Sequence, residues 1–170
     1  MDTCRLRPLL LVAAIVSASA ACGGADVRDD VVVSRARALS EERALGIVAE
    51  VLAEEGFTPQ RGWRIQVGGA PMDIDLRLDG SRFGIEWVSP TDRQTHGARL
   101  PEPDPNGQLR ILAGEGPDAQ AQVLVLDFRS YRFHNDPRAV ERGAPDASTV
   151  EGRLRRDVRD FLVYVRGQTP

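Results

Sequence analysis

Three carboxylates in a short alternating stretch are the residues of this chain best suited to chemistry: Asp73 and Asp75 in MDIDLRLDG, and Glu86 in SRFGIEWV. Met72, Ile74, Leu76 and Leu78 alternate with polar residues, Phe83, Ile85 and Trp87 do the same, and Asp79-Gly80 between them is a strong signal for a two-residue hairpin turn. Such a turn sets Leu78 opposite Ser81, Arg77 opposite Arg82, Asp75 opposite Gly84 and Asp73 opposite Glu86, so that all three acids share one polar face. Like charges directly across a sheet repel. A hard divalent cation with oxygen ligands relieves that repulsion, which makes Asp73, Asp75 and Glu86 the candidate metal ligands. A neighbouring arginine relieves it equally well, and a plain solvated hairpin face carries the same pattern.

A helix followed by a hairpin with Asp on one strand and Glu on the next resembles the core of the PD-(D/E)xK nuclease fold, over the stretch that ends at Val88. The resemblance implies a magnesium ion held by Asp73 or Asp75 together with Glu86, and a lysine two residues past the Glu to activate water. That position is Val88, so the chain departs from the pattern at the residue hydrolysis needs most. All 22 basic residues are arginine, which excludes any mechanism built on a lysine amine.

Other templates fail at an essential position. Glu102 to Gly107, EPDPNG, opens like a calcium loop, but its twelfth position is Ala113 and its prolines favour an extended segment. Gly114 to Ala119 fits G-x-G-x-x-A after a strand, yet another strand follows where a dinucleotide fold requires a helix, so the segment reads as a hairpin loop. His96 and His134 both fall in loops, and no serine sits in G-x-S-x-G. Phe128, Tyr131, Phe133 and His134 form an aromatic group at a strand end, a core or rim position. No catalytic residue is assigned, and no cofactor is expected.

The elements that must position these residues are legible from periodicity. Ser34 or Ser40 opens a helix with Leu45, Ile47, Val48, Val51 and Leu52 on its apolar side, and Gly56 and Pro59 stop it. Trp63 to Val88 reads as a three-stranded antiparallel meander, followed by a proline-rich excursion with one helical turn after Thr91. Gln108 to Leu112 and Gln122 to Phe128 are two further strands, and 130 to 145 is loop or frayed strand. A last helix starts at a capping box of Ser148 and Glu151 and repeats Val150, Leu154, Val158, Phe161, Leu162 and Val165; its charged face reads as solvated. The expectation is an α+β fold: a mostly antiparallel sheet of about five strands, packed by an N-terminal and a C-terminal helix.

The first residues carry a different message. Arg5 and Arg7, the apolar run Leu9 to Val16 and the small residues before Cys22 follow the order of an export signal. The run is far below the ~20 apolar residues of a membrane-spanning helix. Ala20-Ala21-Cys22 resembles the bacterial lipoprotein signal, with Ser19 where that family prefers Leu. A general signal peptidase cutting before Ala21 is the competing reading. The chain has two cysteines, Cys4 and Cys22, so removal of the leader leaves one thiol and no internal disulfide, and acylation of Cys22 accounts for it.

The expected organisation is a signal peptide over 1–21, a lipid-anchored linker over 22–38 and a single globular domain over 39–170. Removal of the leader leaves 149 residues with 20 basic against 24 acidic side chains, a net charge of −4. No segment concentrates positive charge, so nucleic acid is not an expected partner. The expected partners are the lipid bilayer, through acylated Cys22, and an envelope protein or small-molecule ligand. The expected role is that of an exported lipoprotein anchored at the cell envelope, on its periplasmic or outer-surface side, acting as a non-catalytic binding or structural module. A metal-dependent hydrolase using Asp73, Asp75 and Glu86 is the alternative.

Overall fold

The structure, a computed structural model, describes residues 35–168. Cys22, the leader and most of the linker lie outside the described residues. A two-residue strand β1 (Arg37–Ala38) leads into helix α1 (Glu41–Glu54). The ordered fold thus takes in two residues that the sequence assigns to the linker. Ser40 caps α1 by accepting the Arg43 amide at 3.3 Å, and Glu41 and Glu42 sit in the first turn, where the helix dipole favours negative charge. At the other end Gly56 adopts a φ of 80°, and the Phe57 amide reaches back to the Leu52 carbonyl at 2.8 Å. That closure turns Phe57 onto the core.

The chain continues through β2 (Pro59–Gln60), β3 (Trp63–Val67), β4 (Ala70–Ile74), β5 (Leu76–Leu78) and β6 (Phe83–Val88). Helix α2 (Pro90–His96), β7 (Arg110–Ala113), β8 (Gln122–Asp127), β9 (Arg132–Phe133), α3 (Pro137–Glu141) and α4 (Ala147–Gln168) complete it. The main sheet has the order β2-β5-β6-β8-β7. All its pairs are antiparallel except β6 with β8, which run parallel. Hairpin β3-β4 forms a two-stranded sheet of its own, and β1 pairs with β9. The fold is α+β, with a largely antiparallel sheet and a long helix at each end.

Two apolar clusters cover the two faces of the main sheet. On one, Leu76, Leu78, Ile85, Leu124 and Leu126 pack against the buried stripes of α1 and α4, including the fully buried Phe161. On the other, Val88, Leu112, Val123 and Val125 pack against Ile65, Val67, Met72 and Ile74 of the β3-β4 hairpin. Strands β6 and β8 are therefore buried on both sides, which is why β8 reads as an unbroken apolar run in sequence.

The meander differs from expectation at Asp75. What alternation presents as one strand, 72 to 78, is β4 followed by β5, and the chain passes from the hairpin's sheet to the main sheet between them. The turn at Asp79-Gly80 is also longer than two residues. Ser81 donates its amide (3.1 Å) and its hydroxyl (2.7 Å) to the Leu78 carbonyl, and Arg77 Nε donates to the Ser81 carbonyl at 2.8 Å. The first β5-β6 pair after the turn is Arg77 with Gly84, so Asp75 does not face Gly84.

Helix α4 is capped by Asp146, not by the Ser148 and Glu151 box. Asp146 Oδ1 accepts the Thr149 amide at 2.8 Å and the Ser148 hydroxyl at 3.0 Å. Glu151 instead pairs with Arg43 of α1 at 2.5 Å. Three more arginines of α4 reach α1 or the residue after it: Arg159 pairs with Glu54 and Arg166 with Glu55, both at 2.8 Å, and Arg155 with Glu50. No helix among the described residues is long and apolar enough to cross a membrane.

Candidate functional site

Of the three sequence-predicted ligands, the fold brings two together. Asp75 sits at the junction of β4 and β5, and its amide donates to Glu86 Oε2 at 3.0 Å. The Trp87 amide donates to Asp75 Oδ2 at 2.7 Å. Glu86 is only 6% exposed. Burial, reinforced by the neighbouring Asp75 charge, pushes the Glu86 carboxyl up to about 9, so it holds its proton at neutral pH. Burial also raises Asp75, to about 6, against the opposing pull of the Trp87 amide.

Asp73 goes elsewhere. It lies exposed on β4 opposite Arg64 of β3, which grips it through two hydrogen bonds of 2.6 and 2.8 Å. Those bonds hold its carboxyl below the usual range. The arginine, rather than a metal, relieves the charge.

These residues do not fit the magnesium centre that the nuclease resemblance implies. Asp75 and Glu86 each have one oxygen committed to a backbone amide, and the position two past Glu86 is the fully buried Val88. Among the described residues no group of three or more His, Cys, Asp or Glu side chains is placed to hold a metal ion. The pair is instead a clasp between strands, made where chain switches sheets and backbone groups would otherwise lack partners.

The other place where polar groups converge is a cleft of about 640 Å³ between the segment 101–110, the end of β8 with residues 129–131, and the first turns of α4. Its anchor is Asp127, the last residue of β8, only 4% exposed. Asp127 Oδ2 accepts Arg93 Nε at 2.8 Å and a terminal nitrogen of Arg93 at 2.6 Å. Oδ1 accepts the Arg129 amide and Arg129 Nε, each at 2.9 Å. Burial alone would raise the Asp127 carboxyl, but the bonds from Arg129 and Arg93 outweigh it and hold the group below its ordinary value. Arg93 also donates to the carbonyls of Leu100 (3.1 Å) and Pro101 (2.5 Å), fixing the proline-rich wall.

The remaining acids of the cleft are likewise occupied. Asp104 accepts Arg110 and the Asn106 amide, both at 2.7 Å, and Glu102 accepts Arg129 at 2.8 Å, so both acids of the calcium-like EPDPNG segment are met by arginines. Asp157 accepts the Tyr131 hydroxyl at 2.9 Å, and burial raises the Asp157 carboxyl and the Tyr131 phenol alike. The donors are in surplus. Arg153 lies over the Tyr131 ring at 5.5 Å and donates to the Ser130 carbonyl, and its Nε has no partner. Arg110 Nε is buried and unpartnered too.

The other candidates separate. His96 contacts Arg99 at 2.6 Å, while His134 lines a different hollow of about 470 Å³ with Asp146 and Ser148. The segment from Gly114 to Ala119 is the β7-β8 hairpin loop, with a short 3-10 turn over Gly116–Asp118. Tyr131 is core, 5.4 Å from the Trp87 ring, with Phe128 and Phe133 packed at its rim. Sequence reasoning missed Asp127, Arg129 and the cleft face of α4. A lone acid closing a wholly apolar strand was the available signal, since a buried charge requires a partner.

Comparison of the chain with protein-family models, with curated proteins and with solved structures finds no match.

Proposed function

We propose that this chain is an exported lipoprotein, tethered through Cys22, whose domain acts by binding rather than by catalysis, with the cleft beside β8 and α4 as its recognition surface. The observation that carries the reading is the state of the cleft's acids: Asp104, Asp127 and Asp157 all accept hydrogen bonds from neighbouring side chains. Asp104 and Asp127 have both oxygens held, by arginines or a backbone amide, and Asp157 has one held by the Tyr131 hydroxyl, an arrangement that supports a structural role for these acids rather than proton transfer.

The tether rests on the sequence around Cys22, and in general ~15 residues of flexible chain reach only ~20 Å, short enough to keep a domain close to a bilayer. Cys22→Ser is expected to move the protein from the membrane fraction to the soluble fraction. Unchanged fractionation would sink the tether. The hydrolase alternative retains Asp75 and Glu86 as neighbours but loses Asp73 to Arg64.

A further inference from the structure

We infer that the cleft receives a small organic oxyanion, a carboxylate or phosphate ester carried on an apolar body. The inference rests on the reading of the cleft as a binding surface and adds the chemistry of what it binds.

Arg153 is the first of the residues that point to an anion. Among the described residues it pairs with no carboxylate; it holds the Ser130 carbonyl, lies on the Tyr131 ring and keeps a buried Nε–H without a partner. That Nε–H is covered by protein, so what Arg153 offers the cleft is its charge, which no direct ion pair neutralises among the described residues. Arg156 stands three residues further along the same helix, one turn away on the same face. Its side chain is 67% exposed, and its one carboxylate contact is Asp157 at 3.5 Å. Two guanidinium groups one turn apart repel each other; Asp157 answers one of the two charges, and a further anion would answer the other. Arg110, paired with Asp104 at 2.7 Å, stands among the lining residues as well, its own Nε–H covered by protein.

Asp104 and Asp127 are paired with arginines, and Asp157, which accepts from the neutral Tyr131 hydroxyl, keeps its charge beside Arg156; the lining still carries four arginines, Arg110, Arg129, Arg153 and Arg156, against these three acids. What faces an incoming molecule is therefore donor-rich. Planar guanidinium forks match the paired oxygens of a carboxylate or phosphate. The walls supply the other half of the match: Pro101, Pro103, Pro105, Leu109 and Val125 present apolar surface, and the volume of about 640 Å³ suits a small organic molecule.

The test uses the full-length chain in nonionic detergent, labelled with nitrogen-15 and read at its arginine Nε–H resonances. Benzoate, phenyl phosphate, benzyl alcohol and benzylamine are the probes. Benzoate or phenyl phosphate should saturably shift the Arg153 and Arg110 resonances, with an affinity that falls as salt is added, while the alcohol and the amine leave them in place. Arg153→Gln combined with Arg156→Gln should weaken binding by about tenfold or more, as loss of charge-assisted hydrogen bonds does. If the double variant fails to fold, Arg156→Gln alone carries the comparison, because that side chain is exposed, and it should still weaken binding. Equal shifts with benzylamine or benzyl alcohol would show a cleft that binds without preferring anions, which overturns this inference alone. No shift with any probe would overturn the binding-surface reading along with it.

Discussion

Asp75 and Glu86 hold each other's strands: the Asp75 amide donates to Glu86 at 3.0 Å, and the amide after Glu86, that of Trp87, donates to Asp75 at 2.7 Å. The exchange joins β5 to β6 at the point where β4 has just left for another sheet. Side-chain oxygens take the place of the backbone carbonyls that the sheet switch carries away, which requires both acids to sit in a largely apolar setting.

That setting makes stability depend on pH. Both groups have folded values above their ordinary ones, about 9 against 4.5 for Glu86 and about 6 against 3.8 for Asp75. The native state therefore binds more protons across those windows, so their contribution is complete below about pH 4 and is lost as pH rises through the folded values. The expected result is a melting temperature that declines from about pH 5 to about pH 9. Glu86→Gln keeps an acceptor oxygen but cannot ionise. It should flatten the decline and raise the melting temperature at alkaline pH, and an unchanged slope would show that the decline comes from other groups.

Asp127 works in the opposite sense, since Arg129 and Arg93 hold it ionised. Asp127→Asn leaves Arg93, itself 11% exposed, facing a neutral amide. The expected loss is about 3 kcal/mol by urea denaturation, the usual cost of breaking one side of a buried ion pair. Combining it with Arg93→Gln should cost less than the two single changes added together, because they remove one interaction. Strict additivity would mean the pair is not energetically coupled.

Gly84 is the one position on β6 where a side chain cannot fit. A Cβ there would lie 2.7 Å from Trp63 Cζ3 and 3.0 Å from the Leu76 carbonyl oxygen. Trp63 is held over it by Arg77, whose guanidinium lies 5.0 Å from the ring. Gly84→Ala should destabilise by about 1–3 kcal/mol, as overpacking does. Adding Trp63→Leu should recover part of that loss, since the closer of the two contacts is with the indole.

Much of this architecture is legible in the residues, and what escapes does so for physical reasons. Helix α1 is written in its cap Ser40, its apolar stripe and the stop at Gly56, all of them local signals. The parallel pairing of β6 with β8 has no local signal, because two buried strands read the same in either direction. Alternation runs unbroken through Asp75 even though the backbone changes partners there, so the pattern showed a period of two but not which strand it faced. The carboxylate trio failed on turn length: Ser81 widens the turn, and a register shift moves Asp73 away from Glu86. The cleft was hidden because Arg153, Arg156 and Asp157 sit on a helix face whose charge pattern looks like ordinary solvation.

Among the described residues no third acid joins Asp75 and Glu86 in a group placed to hold a metal ion, which leads to a simple expectation. Magnesium or manganese at millimolar concentration should leave the melting temperature unchanged, because an ion that binds the folded state must raise it. A rise that disappears in Asp75→Asn would revive the hydrolase reading.

The proposed tether is tested most directly by intact mass analysis of the protein isolated from the cells that make it. The expected species begins at Cys22, lacks residues 1–21 and carries acyl mass on that cysteine. A species that begins at Ala21 with an unmodified thiol would contradict it.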